Sequence, residues 1–238
     1  MPAARPVSAP LEEVDTLIVS DLHLGTHVSR PAALLATLRR HAFNRLILLG
    51  DILDDLNFTR LPRDHWNLLA YLRTLCAPER RIEVVWVAGN HDYLLSRLTH
   101  HFLGLPVYKQ YQWTYEDKTF LAMHGHQFES VLERHPLVTA SVGILYSTIQ
   151  RWEPERHPVT RLVKRTSGIW RQVSELVARE AAAYAVRRGV DGIFCGHTHN
   201  AMARMFGKVM YHNTGCWTEN PATFVTIGRR GIRLEECP

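Results

Sequence analysis

The stretch "EVVWVAGNHD", residues 83–92, runs from the apolar positions Val84 to Val87 through Ala88 and Gly89 into an amide, an imidazole and a carboxylate. An apolar run without alternation suits a strand covered on both faces, as in a parallel sheet. Working outward, "TLIVS" (16–20) and "RLILLG" (45–50) repeat the pattern. Between them, "PAALLATLRRH" (31–41), with Pro31 in its first turn, and "DHWNLLAYLRTL" (64–75) carry helical periodicity. The order β-α-β-α-β predicts an α/β fold with a buried, largely parallel sheet and helices on its faces. Downstream, "YKQYQWTYE" and "KTFLAMH" predict an antiparallel hairpin turning near Asp117, and "GIFCGH", "KVMYHN", "TFVTIG" and "GIRLEE" predict further strands.

Between Phe128 and Gly189 the strand signal disappears. "PLVTASVGILYSTIQRW" reads as a helix apolar on much of its circumference. "PVTRLVKRTSGIWRQVSELVAREAAAYAVRRG" reads as amphipathic, with Arg and Lys on its outer face. This predicts a helical insertion over about 128–189 within a single domain spanning 1–238, since no repeat, low-complexity tract or Gly/Ser linker divides the chain.

The 238 residues are 46% hydrophobic, enough for a sizeable core. The longest apolar runs fall far short of the roughly 20 residues that cross a bilayer, and "MPAARPVSAP" has no apolar h-region, so a cytoplasmic protein is expected. Cys76, Cys195, Cys216 and Cys237 lie far apart, which argues against a disulfide framework or a thiolate zinc site. Between Arg151 and Arg188 nine Lys or Arg face four Glu, an excess equal to the whole chain's net charge of +5. Such a surface is either a solvated helix face or an attractor for an anionic partner.

Five polar stretches follow or end the strands: "SDLHLG" (Asp21, His23), "GDILDD" (Asp51, Asp54), "GNHDY" (Asn90, His91, Asp92), "HGH" (His124, His126) and "GHTH" (His197, His199). Loops beyond the carboxyl ends of strands converge on one crevice in open α/β sheets, so these groups can meet. Each stretch alone is weak; all five at strand ends make coincidence a poor explanation. Two carboxylates, an amide oxygen and at least four imidazoles, without a thiolate, suit Mn²⁺, Fe or Zn²⁺ better than Ca²⁺. They are too many for one tetrahedral site. Two divalent ions sharing Asp51 as a bridge, acting on a displacement at phosphorus, account for them.

The series D-x-H, G-D-x-x-D, G-N-H-D, H-G-H and G-H-T-H resembles the calcineurin-like metallophosphoesterase family over about Asp15 to Ile227. The resemblance implies a metal-dependent phosphoesterase with a four-layer α/β/β/α sandwich of two mixed sheets, carrying the helical insertion as a cap. It also implies that Asp21, His23, Asp51 and His199 hold one metal, and Asp51, Asn90, His124 and His197 the other. Within the family, "SDLHLG", the helical stretch and "YHNTGCWTEN" look most like the UDP-2,3-diacylglucosamine hydrolase group. Those enzymes cut the pyrophosphate of a lipid-linked UDP-sugar at the inner face of the cell membrane in lipid A synthesis. That group commonly has Arg at the place of His91, and related sequences often have Asp at Cys216. The other expectations are a general phosphodiesterase or phosphomonoesterase on small soluble substrates, or a metal-free scaffold, which should have lost ligands. No nucleic-acid partner is expected, because no additional DNA-binding domain is present.

His91, beside a ligand position, is expected to donate a proton to the leaving oxygen or stabilise charge at phosphorus, with Asp92 orienting it. Asp54 is expected to hydrogen-bond loop groups rather than ligate. His126 is a candidate substrate contact. Arg161, Lys164 and Arg165 share one helix face that suits a cap binding substrate phosphates, or a peripheral contact with an anionic membrane.

Overall fold

A computed structural model describes residues 11–55, 57–91, 105–129 and 168–237. In chain order, β1 (Glu12–Glu13) and β2 (Thr16–Val19) precede helix α1 (Pro31–Arg40), and β3 (His41–Ala42) and β4 (Arg45–Leu49) precede α2 (Arg63–Leu75). Strands β5 (Glu83–Val87), β6 (Val107–Tyr108), β7 (Tyr111–Tyr115) and β8 (Lys118–Ala122) follow. Helix α3 (Gly168–Arg188) leads into β9 (Gly192–Cys195), β10 (Met202–Phe206), β11 (Val209–Asn213), β12 (Ala222–Gly228) and β13 (Gly231–Cys237).

The strands form a six-stranded sheet, β13-β12-β2-β4-β5-β6, a five-stranded sheet, β10-β11-β9-β8-β7, and a short parallel pair, β1-β3. Both larger sheets are mixed. β2, β4, β5 and β6 run parallel while β12 and β13 are antiparallel; in the second sheet β8, β9 and β11 run parallel between antiparallel edges. The expected single parallel sheet is therefore one half of a pair of mixed sheets, as the resemblance implied.

Side-chain alternation produces the layers. On β2, β4 and β5, Leu17, Val19, Leu46, Leu48, Val84 and Trp86 pack with Leu34 and Leu38 of α1 and Leu68 and Leu72 of α2. The intervening Ile18, Ile47, Leu49, Val85 and Val87 face Trp113, Phe120, Ala122 and Phe194 of the other sheet. That sheet's opposite face carries Leu121, Ile193 and Cys195 under Val173, Val177, Ala181 and Ala185 of α3. Three cores thus separate helices, sheet, sheet and helix. The unbroken apolar runs of the sequence follow, because both faces of each central strand are covered. Along α3 the buried positions recur every four residues and are mostly Ala, letting the backbone approach the sheet, while Arg171, Arg179, Arg187 and Arg188 are exposed.

The segment read as one strand from Tyr108 to Glu116 is divided. Tyr108 ends β6 in the first sheet and Tyr111 opens β7 in the second, so the chain changes sheets between them. The predicted hairpin is β7 and β8, with Tyr115 opposite Lys118. β10, which the strand expectations did not include, is an edge strand whose central residues, Ala203, Arg204 and Met205, are exposed. Of the helical insertion, α3 is described, whereas "PLVTASVGILYSTIQRW" and the start of the amphipathic segment lie outside the described residues.

Phe194 stands between the sheets, its ring 5.5 Å from that of Trp113, 5.6 Å from Phe120 and 5.3 Å from His212. Replacing it with Ala opens a cavity in this central layer and should cost about 3–5 kcal/mol in denaturant unfolding. A loss below about 1 kcal/mol would mean that the layer can collapse around the gap.

Candidate metal centre and active site

Backbone pairing continues beyond the strand ends, slipping by one residue. After β2 and β4, Asp21 N–H donates to Gly50 O at 3.0 Å, His23 N–H to Asp51 O at 2.9 Å and Leu24 N–H to Ile52 O at 2.9 Å. Leu22, Leu24, Ile52 and Leu53 are buried apolar anchors among the polar residues. In the second sheet, Met123 N–H donates to Phe194 O at 3.0 Å and Gly196 N–H to His124 O at 2.9 Å. The D-x-H, G-D, H-G-H and G-H-T-H loops are thus pinned in pairs.

Asp21, His23, Asp51, His197 and His199 all have left-handed backbones, φ +53°, +44°, +52°, +66° and +55°. Non-glycine residues rarely adopt this conformation, and each one held there costs of order 1–3 kcal/mol. Only Arg81 and Glu116 share it among the other described non-glycine residues. Strain is therefore concentrated where side chains converge. Close approach also requires glycine: a Cβ on Gly89 would lie 2.1 Å from Asp51 Oδ1, and one on Gly50 (φ +82°) 2.3 Å from His124 Nδ1.

The side chains fall into overlapping clusters, Asp21 with His23 and His199, and Asp51 with His124 and His197. In the first, His199 Nε2 is 3.2 Å from Asp21 Oδ1 and 3.3 Å from His23 Nε2. In the second, His124 Nε2 is 3.3 Å from Asp51 Oδ2. Asp51 Oδ2 also lies 3.8 Å from His23 Nε2, so this carboxylate spans both groups. His124 donates its Nδ1–H to Leu49 O at 2.9 Å, which turns its Nε2 toward Asp51. The Nε2 of His124 and the Nδ1 of His197 are buried without a hydrogen bond. Buried imidazole nitrogens without a hydrogen-bond partner, set around two carboxylates, fit a pair of divalent cations that would take the place of their protons.

Electrostatics bind the clusters further. Burial alone would raise the carboxyls of Asp21 and Asp51, but the imidazoles outweigh it: His199 and His124 hold Asp21 down, and His124 and His23 hold Asp51 far below the usual range. Burial would likewise lower His124, yet the carboxylates of Asp51 and Asp21 push it up to about 9. His199 is lowered by burial and raised well above its ordinary value by Cys216 and Asp21.

The model of the calcineurin-like phosphoesterases matches residues 15–201. The chain belongs to this family. Its members are dinuclear metal-dependent hydrolases, and this chain is a metal-dependent phosphoesterase. An archaeal phosphodiesterase shares 15% identity over 93% of this chain and 98% of its own, with a TM-score of 0.51. Yfce, a phosphoesterase from E. coli, shares 16% over 94% and 99%, with a TM-score of 0.52. Both likenesses are of the fold. No curated protein matches the sequence significantly.

At the rim of the phosphoesterase site, Asn90 and His91 are exposed and adjoin Asp51, to whose Oδ1 the His91 backbone N–H donates at 3.0 Å. The His91 ring is fixed by Nδ1, 2.8 Å from Asp54 O, and stands edge-on to His23 at 4.9 Å. Its ring nitrogens also lie within 4.8 Å of ligand atoms of His23 and Asp51. Asp54 Oδ1 is 3.4 Å from His23 Nδ1, so Asp54 touches two site histidines, one through its carboxylate and one through its backbone. Asp92, the expected orienter, lies outside the described residues, as do Arg161, Lys164 and Arg165. His126 follows the H-G turn with its ring 5.5 Å from His124 and 6.1 Å from His197. Burial and those two imidazoles push it down to about 4, so at neutral pH it is uncharged.

Sequence reasoning passed over three supports. Asn213 donates through Nδ2 to Gly196 O at 2.6 Å and Thr198 Oγ1 at 3.1 Å, bracing the G-H-T-H loop. It ends β11, so the strand-end rule could have found it. Trp170 donates Nε1–H to Thr198 O at 2.9 Å and ties α3 to the same loop. Glu129 Oε1 accepts from His197 Nε2 at 2.7 Å; no periodicity marks it.

A side chain at residue 89 would collide with Asp51 Oδ1 and its backbone N, at 2.1 and 2.3 Å. A misplacement of about 1 Å can cost 10²-fold in rate. Gly89→Ala should therefore lower kcat/KM on an aryl phosphate by about 100-fold. Gly168→Ala, which meets nothing within 4 Å, should leave it unchanged. Equal activity of the two variants would show that Asp51 need not stay where it is.

Proposed function

We propose that the phosphoesterase hydrolyses the pyrophosphate of UDP-2,3-diacylglucosamine, in lipid A precursor synthesis, at a centre of two divalent ions, Mn²⁺ in the first instance. The observation that carries the reaction class is the pair of carboxylate–imidazole clusters with Asp51 spanning both. Asp21, His23, Asp51 and His199 would hold one ion and Asp51, Asn90, His124 and His197 the other. Two ions supply Lewis acidity at phosphorus and a water that ionises near neutrality.

The chain's own residues do the rest. His91, fixed through Nδ1, has Nε2 left as the proton donor; in its protonated form it gives that proton to the leaving oxygen as the phosphorus–oxygen bond breaks. The carbonyl of Asp54 sets the ring's orientation, and Asp92 is the second candidate for that task. The neutral His126 offers a hydrogen bond rather than a charge. Arg161, Lys164 and Arg165 are proposed to bind the substrate phosphates and, at an anionic cytoplasmic membrane face, to hold the enzyme peripherally. The lipid-linked substrate is supported by "SDLHLG", the helical stretch and "YHNTGCWTEN". Among the described residues no helix is long and apolar enough to cross a membrane.

A second reading, hydrolysis of small soluble phosphodiesters or phosphomonoesters, is favoured by His91, an exposed imidazole where the lipid A group has Arg. With Mn²⁺, kcat/KM on UDP-2,3-diacylglucosamine should exceed that on a small aryl phosphodiester. Charge-neutral replacements of Arg161, Lys164 and Arg165 should weaken the first substrate more. Equal or better turnover of the aryl diester, with equal losses on both, would establish the second reading.

His91→Ala and His91→Gln should lower kcat by about 10²–10⁴-fold, the usual worth of a general acid. Both variants should still take up two Mn²⁺ per chain. Loss of one ion would make His91 a ligand through the cluster it forms with His23 and Asp51, and unchanged turnover would remove it from the reaction.

A further inference from the structure

His197 has three polar groups, and the structure accounts for each. Its backbone N–H donates to Asp21 Oδ2 at 2.9 Å, which ties it to the first cluster. Its Nδ1 is buried and makes no hydrogen bond, and the residue belongs to the second cluster with Asp51 and His124. Its Nε2 lies 2.7 Å from Glu129 Oε1. An ionised carboxylate only accepts, so the proton in that contact is on Nε2 and the lone pair remains on the buried Nδ1.

The placement of Glu129 is built. The turn His126–Phe128 follows the H-G pair, Glu129 N–H donates to His126 O at 3.1 Å, and Phe128 is buried against the Tyr184 ring at 5.8 Å. With Phe128 anchored under α3, the next residue is directed back at His197. Behind two other site histidines the contacts are neutral or longer, Leu49 O for His124 and the Asp54 carboxylate at 3.4 Å for His23. His197 alone of these is held by a short contact to a carboxylate.

We propose that Glu129 is a positioning residue: it fixes the Nε2–H tautomer of His197 and so leaves Nδ1 for the second cation position. This rests on the reading of His197 as a ligand. Carboxylates behind metal-bound histidines typically account for 10–100-fold in metal affinity.

The test uses the full chain and Mn²⁺ alone. In chelator-treated protein, nitrogen-15 imidazole spectra should show His197 as the Nε2–H tautomer. Glu129→Ala should shift it to a mixture or to Nδ1–H, and calorimetric titration should show one of the two Mn²⁺ sites weakened by about 10–100-fold. Glu129→Gln keeps an accepting oxygen and should recover the tautomer and most of the affinity. An unchanged tautomer and unchanged Mn²⁺ affinity in Glu129→Ala would overturn the proposal. So would equal weakening in Ala and Gln with the wild-type tautomer retained, because that pattern reports general disturbance. If wild-type protein took up no Mn²⁺, the dinuclear reading would fail and the ligand role with it. The tautomer measurement would still report separately whether Glu129 fixes the ring.

Discussion

Asp21 and Asp51 are two carboxylates withdrawn from water, 0% and 2% exposed, and each raises the cost of ionising the other. Buried like charges are tolerated only where positive charge meets them at close range. Here His23, His124 and His199 surround them with nitrogens 3.2–4.0 Å away. Without a cation between them, some of those imidazoles must carry protons, which is why His124 and His199 are pushed up while both carboxyls are pulled down. Divalent ions bound at the same nitrogens would replace those protons. The centre is thus organised for concentrated positive charge, and the rest of the structure holds two mutually repelling groups in place.

That holding force comes from the paired sheets. Each sheet alone delivers part of the donor set: β2, β4 and β5 end in Asp21, His23, Asp51, Asn90 and His91, and β8 and β9 end in His124, His197 and His199. The Phe194, Phe120 and Trp113 layer keeps the two sets of strand ends together. Left-handed residues at five cluster positions fold the loops back over the carboxylates, against their local preference. Paired loop hydrogen bonds and the Asn213 brace offset that strain, so stability made in the cores is spent where the side chains must crowd.

The sequence made much of this legible for a physical reason. Strands buried on both faces appear as uninterrupted apolar runs, and a polar group immediately after such a run must lie at a strand end. Asp21, Asp51, His91, His124 and His197 were readable in that way. The division into two sheets was not, because the crossover between Tyr108 and Tyr111 leaves no composition signal in a segment of alternating aromatic residues. Edge strand β10 was hidden by its exposure. Glu129 and Trp170 were illegible as supports because their contacts, 68 and 28 residues away in sequence, are set by where α3 and the H-G turn dock. Residues that hold the ligands follow tertiary geometry, whereas the ligands follow the strand-end rule.

His91 brings the remaining constraint into view. Its Nδ1 is engaged by the backbone of Asp54, so one ring nitrogen is left for a substrate. A guanidinium at this position would offer a planar fork able to grip two phosphate oxygens, whereas an imidazole with one free nitrogen can meet only one. The site at residue 91 is therefore matched to a single oxygen, such as the one leaving phosphorus. A pyrophosphate has a second phosphoryl group whose charge must then be met elsewhere. His126, neutral and half-buried, does not meet it. If the substrate is a diphosphate, its second charge falls to cations outside the two clusters, and Arg161, Lys164 and Arg165 are the closely spaced basic group of the helical insertion. Chemistry at phosphorus and recognition of the leaving group are in that case carried by separate parts of the chain, the strand ends for the first and the insertion for the second.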